Sequence, residues 1–121
     1  ESFIRWVRLL YTDIEGCVIN TGFSSKTFPI RCGVRQGCPL SPYLFILVVE
    51  IFGIMIRQDT HLKGLSFENT ELRISQYADD TVLFLDANEQ NLRCCLNILD
   101  RYNLMSGLKI NIEKCSVIRL N

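Results

Sequence analysis

The sequence predicts an α+β fold, and three observations carry that expectation. Apolar residues recur at helical spacing in three separate stretches, short β-prone runs fall in pairs between them, and Gly-, Pro- or Asp-containing breaks divide the pieces. The predicted order is α-β-β-α-β-β-α-β-β. At 121 residues the chain has room for one ordinary domain. Its 48% apolar and 21% charged content excludes a disordered or collagen-like chain. Thirteen basic residues balance thirteen acidic ones, which excludes a purely electrostatic nucleic-acid binder but leaves room for a site with local basic groups.

The first helix is marked by Phe3, Trp6, Val7, Leu10 and Tyr11 on one face, with Arg5 and Arg8 opposite. Residues 15–20 and 26–31 read as two short strands joined at Thr21-Gly22, with Pro29 marking an edge. A Gly/Pro loop fills 33–41, and Ser41-Pro42 reads as N-cap and first turn of the next helix. That helix, Tyr43–Ile56, is apolar on all sides apart from Glu50 and Gly53; it is too short and too charged for a membrane span and is expected to be buried on most sides. Residues 58–66 read as a polar connector, and 72–76 and 81–85 as strands joined by Tyr77-Ala78-Asp79-Asp80. Asp86 and Glu89 fit a capping box for a third helix with Leu92, Cys95, Leu96, Leu99 and Tyr102 on its inner face and Gly107 at its end. Residues 108–112 and 117–120 are the last strand candidates.

The chain opens on Glu1 and shows no charged leader followed by a small-residue cleavage site, so it is expected to be part of a longer protein without a secretory signal. Cys17, Cys32, Cys38, Cys94, Cys95 and Cys115 lack zinc-site spacing and read as reduced, buried small hydrophobes.

Three segments carry chemistry. Asp79 and Asp80 are adjacent carboxylates at the bend of an apolar hairpin, where like charges oppose one another. An Asp-rich turn is the structural alternative; the functional one is a Mg²⁺ site, since hard oxygen ligands bridge that ion to substrate phosphates. In the loop at 31–42, Arg35 and Gln36 lie between Gly33 and Gly37. Arginine meets phosphate, glutamine meets a base or sugar edge, and glycines let backbone approach a ligand. The third segment, 107–114, ends a helix and carries Lys109 and Lys114, which taken by themselves read as solvated lysines of an exposed turn.

In this order the three segments resemble the reverse transcriptases of non-LTR, LINE-type retrotransposons, with group II intron and related bacterial enzymes more distant. The resemblance runs from the Phe-Ile-Arg-Trp-Val helix at 3–7 to just past Lys114. Gly33-Val34-Arg35-Gln36-Gly37-Cys38-Pro39-Leu40-Ser41-Pro42 is similar to motif B, Tyr77-Ala78-Asp79-Asp80 to the catalytic motif C, and Ser106-Gly107-Leu108-Lys109-Ile110-Asn111 with Lys114 to motif D. The fold this implies is a partial palm, with adjoining fingers elements, of a right-hand polymerase spanning 1–121.

The resemblance also implies roles. Asp79 and Asp80 would ligate metal, as a pair of Mg²⁺ ions with Mn²⁺ the alternative. Tyr77 would lie near the primer terminus or incoming sugar. Arg35, Gln36 and Gly37 would line the pocket for template base and nucleotide, and Pro39, Ser41 and Pro42 would shape that loop. Lys114 would sit by the triphosphate and protonate departing pyrophosphate. Glu50 would be structural, bonded to a nearby loop. Partners would be RNA template, DNA primer, deoxynucleotides and the rest of the polymerase chain, with no membrane. The motif A aspartate has no counterpart here, because Asp13 lacks its context; the fragment alone is therefore expected to be inactive, starting after motif A and ending before the thumb. A cytoplasmic ribonucleoprotein that reaches the nucleus is the expected setting. The alternative is a decayed or domesticated retroelement remnant that only binds.

Overall fold

The computed structural model describes residues 1–31 and 33–119. The chain divides into two units, Glu1–Cys38 and Pro39–Asn121.

In the first unit, helix α1 (Ser2–Tyr11) ends where Thr12 turns extended, and the Thr12 hydroxyl donates to the Arg8 carbonyl at 2.6 Å. The two expected strands form one ribbon broken into two ladders. Strand β1 (Glu15–Gly16) pairs antiparallel with β4 (Phe28–Pro29), and β2 (Ile19–Asn20) with β3 (Phe23–Ser24). Two residues, 17 and 18, face three, 25–27, between the ladders, which is the imbalance of a bulge. Ser25 fills the break: its hydroxyl accepts from the Val18 N–H at 3.0 Å, and its own N–H donates to the Val18 carbonyl at 2.8 Å. Thr21 and Gly22, at φ +48° and +84°, make the tight connection that fits strand twist. Pro29 lies on a two-stranded ladder, where every strand is an edge, as its missing N–H requires. No described residue of this unit is buried.

The second unit contains the core. Helix α2 (Ser41–Gln58) and helix α3 (Glu89–Ser106) pack together, with hairpins β5 (Leu65–Phe67)–β6 (Thr70–Leu72) and β7 (Ile74–Tyr77)–β8 (Asp80–Leu83) between them in sequence. Phe52, Ile56, Leu62, Cys95, Ile98 and Tyr102 form the buried cluster, with Val48, Ile74, Leu83 and Leu85 against it. The Phe52 and Tyr102 rings lie 5.0 Å apart, and the Tyr102 hydroxyl donates to the Val48 carbonyl at 3.2 Å.

Several expectations are corrected. Helix α2 is not buried on most sides: Tyr43, Ile46, Leu47, Ile51 and Ile54 are exposed, while Phe52, Gly53 and Ile56 turn inward. Its 18 residues are long and apolar enough for a bilayer by length and composition alone, a test that core helices also pass. Ser41 is the buried first residue of α2, and the N-cap is Leu40, one residue earlier than expected. Glu50 pairs with Arg57, two turns on in the same helix, rather than with a loop.

The cap of α3 is Asn88, whose side chain accepts from the Asn91 N–H at 2.7 Å; Asp86 instead braces Asn88, taking its Nδ2 at 3.0 Å. The inner face of α3 is Asn91, Cys95, Ile98 and Tyr102, while Leu92 and Leu96 are exposed. Gly107 ends the helix at φ +72°, as expected, its N–H donating to the Asn103 carbonyl at 2.8 Å. The hairpin β5–β6 was not anticipated. The run 108–112 forms no strand, and residues 112–114 make a short 3₁₀ turn; of the run 117–120, the described residues 117–119 form none, and 120 lies outside them. A strand needs a partner strand for its hydrogen bonds, and no described segment supplies one here.

Cys17, Cys94, Cys95 and Cys115 are free thiols, as expected, and Cys32 lies outside the described residues. Only Cys95 among them is buried, and burial pushes its thiol up to about 11; Cys17 and Cys115 are exposed, against expectation.

Candidate metal and nucleotide site

Hairpin β7–β8 has Ile74 opposite Leu83, Ser75 opposite Val82, Gln76 opposite Thr81 and Tyr77 opposite Asp80. Side chains alternate across a strand, so Ile74 and Gln76 share the half-buried face with Leu83, and Ser75 and Tyr77 share the solvent face with Asp80. Ala78 and Asp79 make the two-residue connection. Ala78 is held at φ +52°, a left-handed conformation that costs an L-residue about 1–2 kcal/mol. Backbone strain of this kind persists only where surrounding structure imposes it, and it gathers at functional sites. Tyr77 is 84% exposed, and both carboxylates face solvent.

The hairpin is fixed from below. Arg73, just before β7, donates to the carbonyls of Arg57 at 3.1 Å and Asp59 at 2.6 Å, closing the C-terminal end of α2 with a cation where the helix dipole favours one. Its other arm meets Glu71 at 2.8 Å, and Glu71 also accepts from the Gly64 N–H at 2.6 Å. The Arg73 bond, then the Gly64 amide, hold the Glu71 carboxyl below its usual range. Asp59 accepts from the N–H groups of His61 and Leu62 at 2.8 and 2.9 Å; desolvation opposes its ionisation, but these bonds together with Cys94 prevail and lower its pKa. Asn91, 3% exposed, bonds both backbone groups of Lys63 and the carbonyl of Asp86. Gln76 reaches the Val49 carbonyl on α2 at 3.4 Å.

These supporting residues were not singled out from the sequence as part of the site. Gly53 was visible there as a break in the apolar helix. Asn91 carried no signal, since polar residues on helices are ordinarily exposed.

In the loop at 33–41, the Cys38 N–H donates to the Arg35 carbonyl at 3.4 Å, and Gly33 and Gly37 are left-handed at φ +82° and +79°. A Cβ on either glycine would meet nothing within 4 Å, so they serve backbone conformation and leave the chain open to approach. Arg35 and Gln36 are exposed on that turn. Lys114 is exposed at the end of the 3₁₀ turn, where Asn111 accepts from the Glu113 N–H at 3.1 Å. Tyr77, Asp79 and Asp80 thus share one hairpin. Lys114 and Ser41 stand on other elements of the second unit, and Arg35, Gln36 and Gly37 belong to the first.

The donor chemistry at Asp79 and Asp80 suits a hard divalent cation, which takes carboxylate oxygen and keeps several waters. Among the described residues, no group of three or more His, Cys, Asp or Glu side chains could hold a metal ion. The pair fits Mg²⁺ in kind and needs further ligands to hold it tightly.

A family model for reverse transcriptases (RNA-dependent DNA polymerases) matches residues 1–120, and the chain belongs to that family, whose fold is the polymerase palm. It is a fragment of the non-LTR retrotransposon type. It is 32% identical over 119 residues to the transposon TX1 uncharacterized 149 kDa protein of Xenopus laevis, an alignment covering 95% of this chain and 9% of that one. It is 30% identical over 118 residues to the retrovirus-related Pol polyprotein from the type-2 retrotransposable element R2DM of Drosophila melanogaster, covering 98% and 11%. An uncharacterized mitochondrial protein of Arabidopsis thaliana is 41% identical over 69 residues, covering 53% and 56%. The chain thus spans about a tenth of the length of the first two relatives.

Proposed function

We propose that this chain is the nucleotidyl-transfer part of an RNA-directed DNA polymerase that adds deoxynucleotides to a primer 3′ end on an RNA template. The observation that carries the reading is the strained Ala78-Asp79 turn, which presents two carboxylates from a docked hairpin in a chain that matches the family over 1–120. Asp79 and Asp80 would hold Mg²⁺, which when bound supplies charge stabilisation at phosphoryl oxygens. Tyr77, opposite Asp80 and open to solvent, provides a surface for the primer terminus or the incoming sugar. Arg35 offers a fork for phosphate, Gln36 hydrogen-bonds a base or sugar edge, and Gly37 allows close backbone approach. Ser41, which is buried, and Pro42, which is exposed, start the helix that follows that loop in sequence. Lys114 supplies an ammonium for the triphosphate and a proton for the departing pyrophosphate.

A further carboxylate from outside residues 1–121 completes the ion site in this reading, with the thumb likewise elsewhere, so 1–121 alone incorporates no nucleotide. The test is deoxynucleotide incorporation by the complete reading frame on a primed RNA template with Mg²⁺, beside Asp79→Asn. Incorporation that the substitution abolishes is the expected result. A folded, template-binding wild type that incorporates nothing would overturn the reading in favour of a remnant that only binds.

A further inference from the structure

The interior of α2 holds a glycine where an alanine would make the better helix. Gly53 is buried, and a Cβ placed there would lie 2.6 Å from Oε1 of Gln76 and 2.9 Å from Nη1 of Arg57. The position is therefore occupied by two side-chain ends, one from the helix itself and one from the strand that leads into Tyr77. Val49 and Glu50 lie four and three residues before Gly53, and Arg57 lies four after it, which places them along one side of the helix. Arg57 is held there by Glu50. The Gln76 amide donates to the Val49 carbonyl at 3.4 Å, a long bond, so the seat holds by fit as much as by hydrogen bonding. Gln76 lies on the inward face of the hairpin, next in sequence to Tyr77 and three residues before Asp79.

We propose that Gln76 seated over Gly53 fixes the position of the Asp79-Asp80 turn on α2, which makes Gln76 a positioning residue for the two carboxylates. The proposal rests on the reading of those carboxylates as the metal-holding pair. The atoms that a Cβ at 53 would meet are the far ends of flexible side chains, not backbone. Gly53→Ala therefore evicts the Gln76 amide without breaking the helix, and it improves helix propensity at the same time. Placement and stability respond in opposite directions, which a merely structural glycine would not produce.

The test uses the complete protein with Gly53→Ala, Gln76→Ala and the double variant. With Gly53→Ala, we expect kcat to fall by roughly 10- to 100-fold, the scale of a misplacement of about 1 Å. KM for nucleotide and affinity for primer-template should stay as in the wild type, and the melting temperature should hold or rise. The double variant should be no worse than either single one, because both remove the same seat. Amide exchange across 74–83 should quicken by about tenfold in Gly53→Ala while 89–106 keeps its protection. Wild-type kcat in both single variants, losses that follow the melting temperature, or additive losses would overturn the proposal. If the wild type itself polymerises nothing, the polymerase reading fails. Exchange at 74–83 then still decides the seat, and an unchanged pattern overturns it.

Discussion

Two hairpins follow one another in the second unit, and their turns are nearly alike. Glu68 leads the two-residue connection of β5–β6 at φ +51°, and Ala78 leads that of β7–β8 at φ +52°. Each turn carries acid: Glu68 in one, Asp79 and Asp80 in the other. They differ in what lies beneath. All six strand residues of β5–β6 are exposed, and the hairpin is tied down through Asn91 and Asp86 on Lys63 and through Glu71, which bonds the Gly64 N–H and Arg73. The β7–β8 hairpin lays Ile74, Gln76 and Leu83 against α2 and the core. An acidic strained turn is thus not in itself a site. Docking onto a rigid helix is what lets a turn hold charges in place.

The comparison is open to attack from both sides. The largest effect belongs to Asp79→Asn, expected to lower incorporation by the complete protein by about 10³-fold or more, since the lost charge stabilisation is worth several kcal/mol. Glu68→Gln in the sister turn should change the same assay by less than about twofold, as a surface substitution does. Next come the strand residues. Ile74→Ala or Leu83→Ala should cost about 2 kcal/mol in chemical denaturation, whereas Leu65→Ala, from the exposed Leu65–Leu72 pair, should cost less than about 1 kcal/mol.

Asn91→Ala strikes the base of the first hairpin and should cost about 1–3 kcal/mol, because it removes three hydrogen bonds that a buried amide makes to the backbone of Lys63 and Asp86. Acid acts at the same base. Asp59 and Glu71 both have lowered pKa values, so their contribution is complete above their ordinary 3.8 and 4.5 and is lost as pH falls through the folded values. Stability should decline below about pH 4.5, and the decline should be shallower in Asp59→Asn, as a denaturation series against pH would read. The smallest effects are Ala78→Gly and Glu68→Gly. Each relieves a left-handed residue at the expense of chain entropy, for a net gain of less than about 1 kcal/mol.

Much of this arrangement was legible because it is local. Thr21-Gly22, Gly107 and the Tyr77-Ala78-Asp79-Asp80 turn all sit where turn and cap chemistry places them. The face of α3 was misread because apolarity favours Leu92 and Leu96, whereas buried Asn91 earns its place by satisfying Lys63 and Asp86, a need that arises only when those segments meet. The cap at Asn88 was displaced for a similar reason, since Asp86 served as a brace. The runs at 108–112 and 117–120 read as strands from their β-branched residues, yet strands depend on distant partners in a way that helices do not. At the site, the turn that carries the two carboxylates was legible, and the contacts of Gly53, Gln76 and Arg73 were not, because they depend on what faces those residues.

The pairing of α2 with α3 also has a consequence during synthesis. The inward side of α2 finds its partners, Cys95, Ile98 and Tyr102, only after the 48 residues 59–106 have been made. At about 5–20 residues per second, that leaves the α3-facing side of the most apolar helix uncovered for roughly 2–10 s. Each hairpin closes in about 1–10 μs, long before α3 is complete. The nascent chain therefore carries finished hairpins on one side of an apolar helix whose α3-facing side is still open, and this is the interval in which that side is most exposed to aggregation.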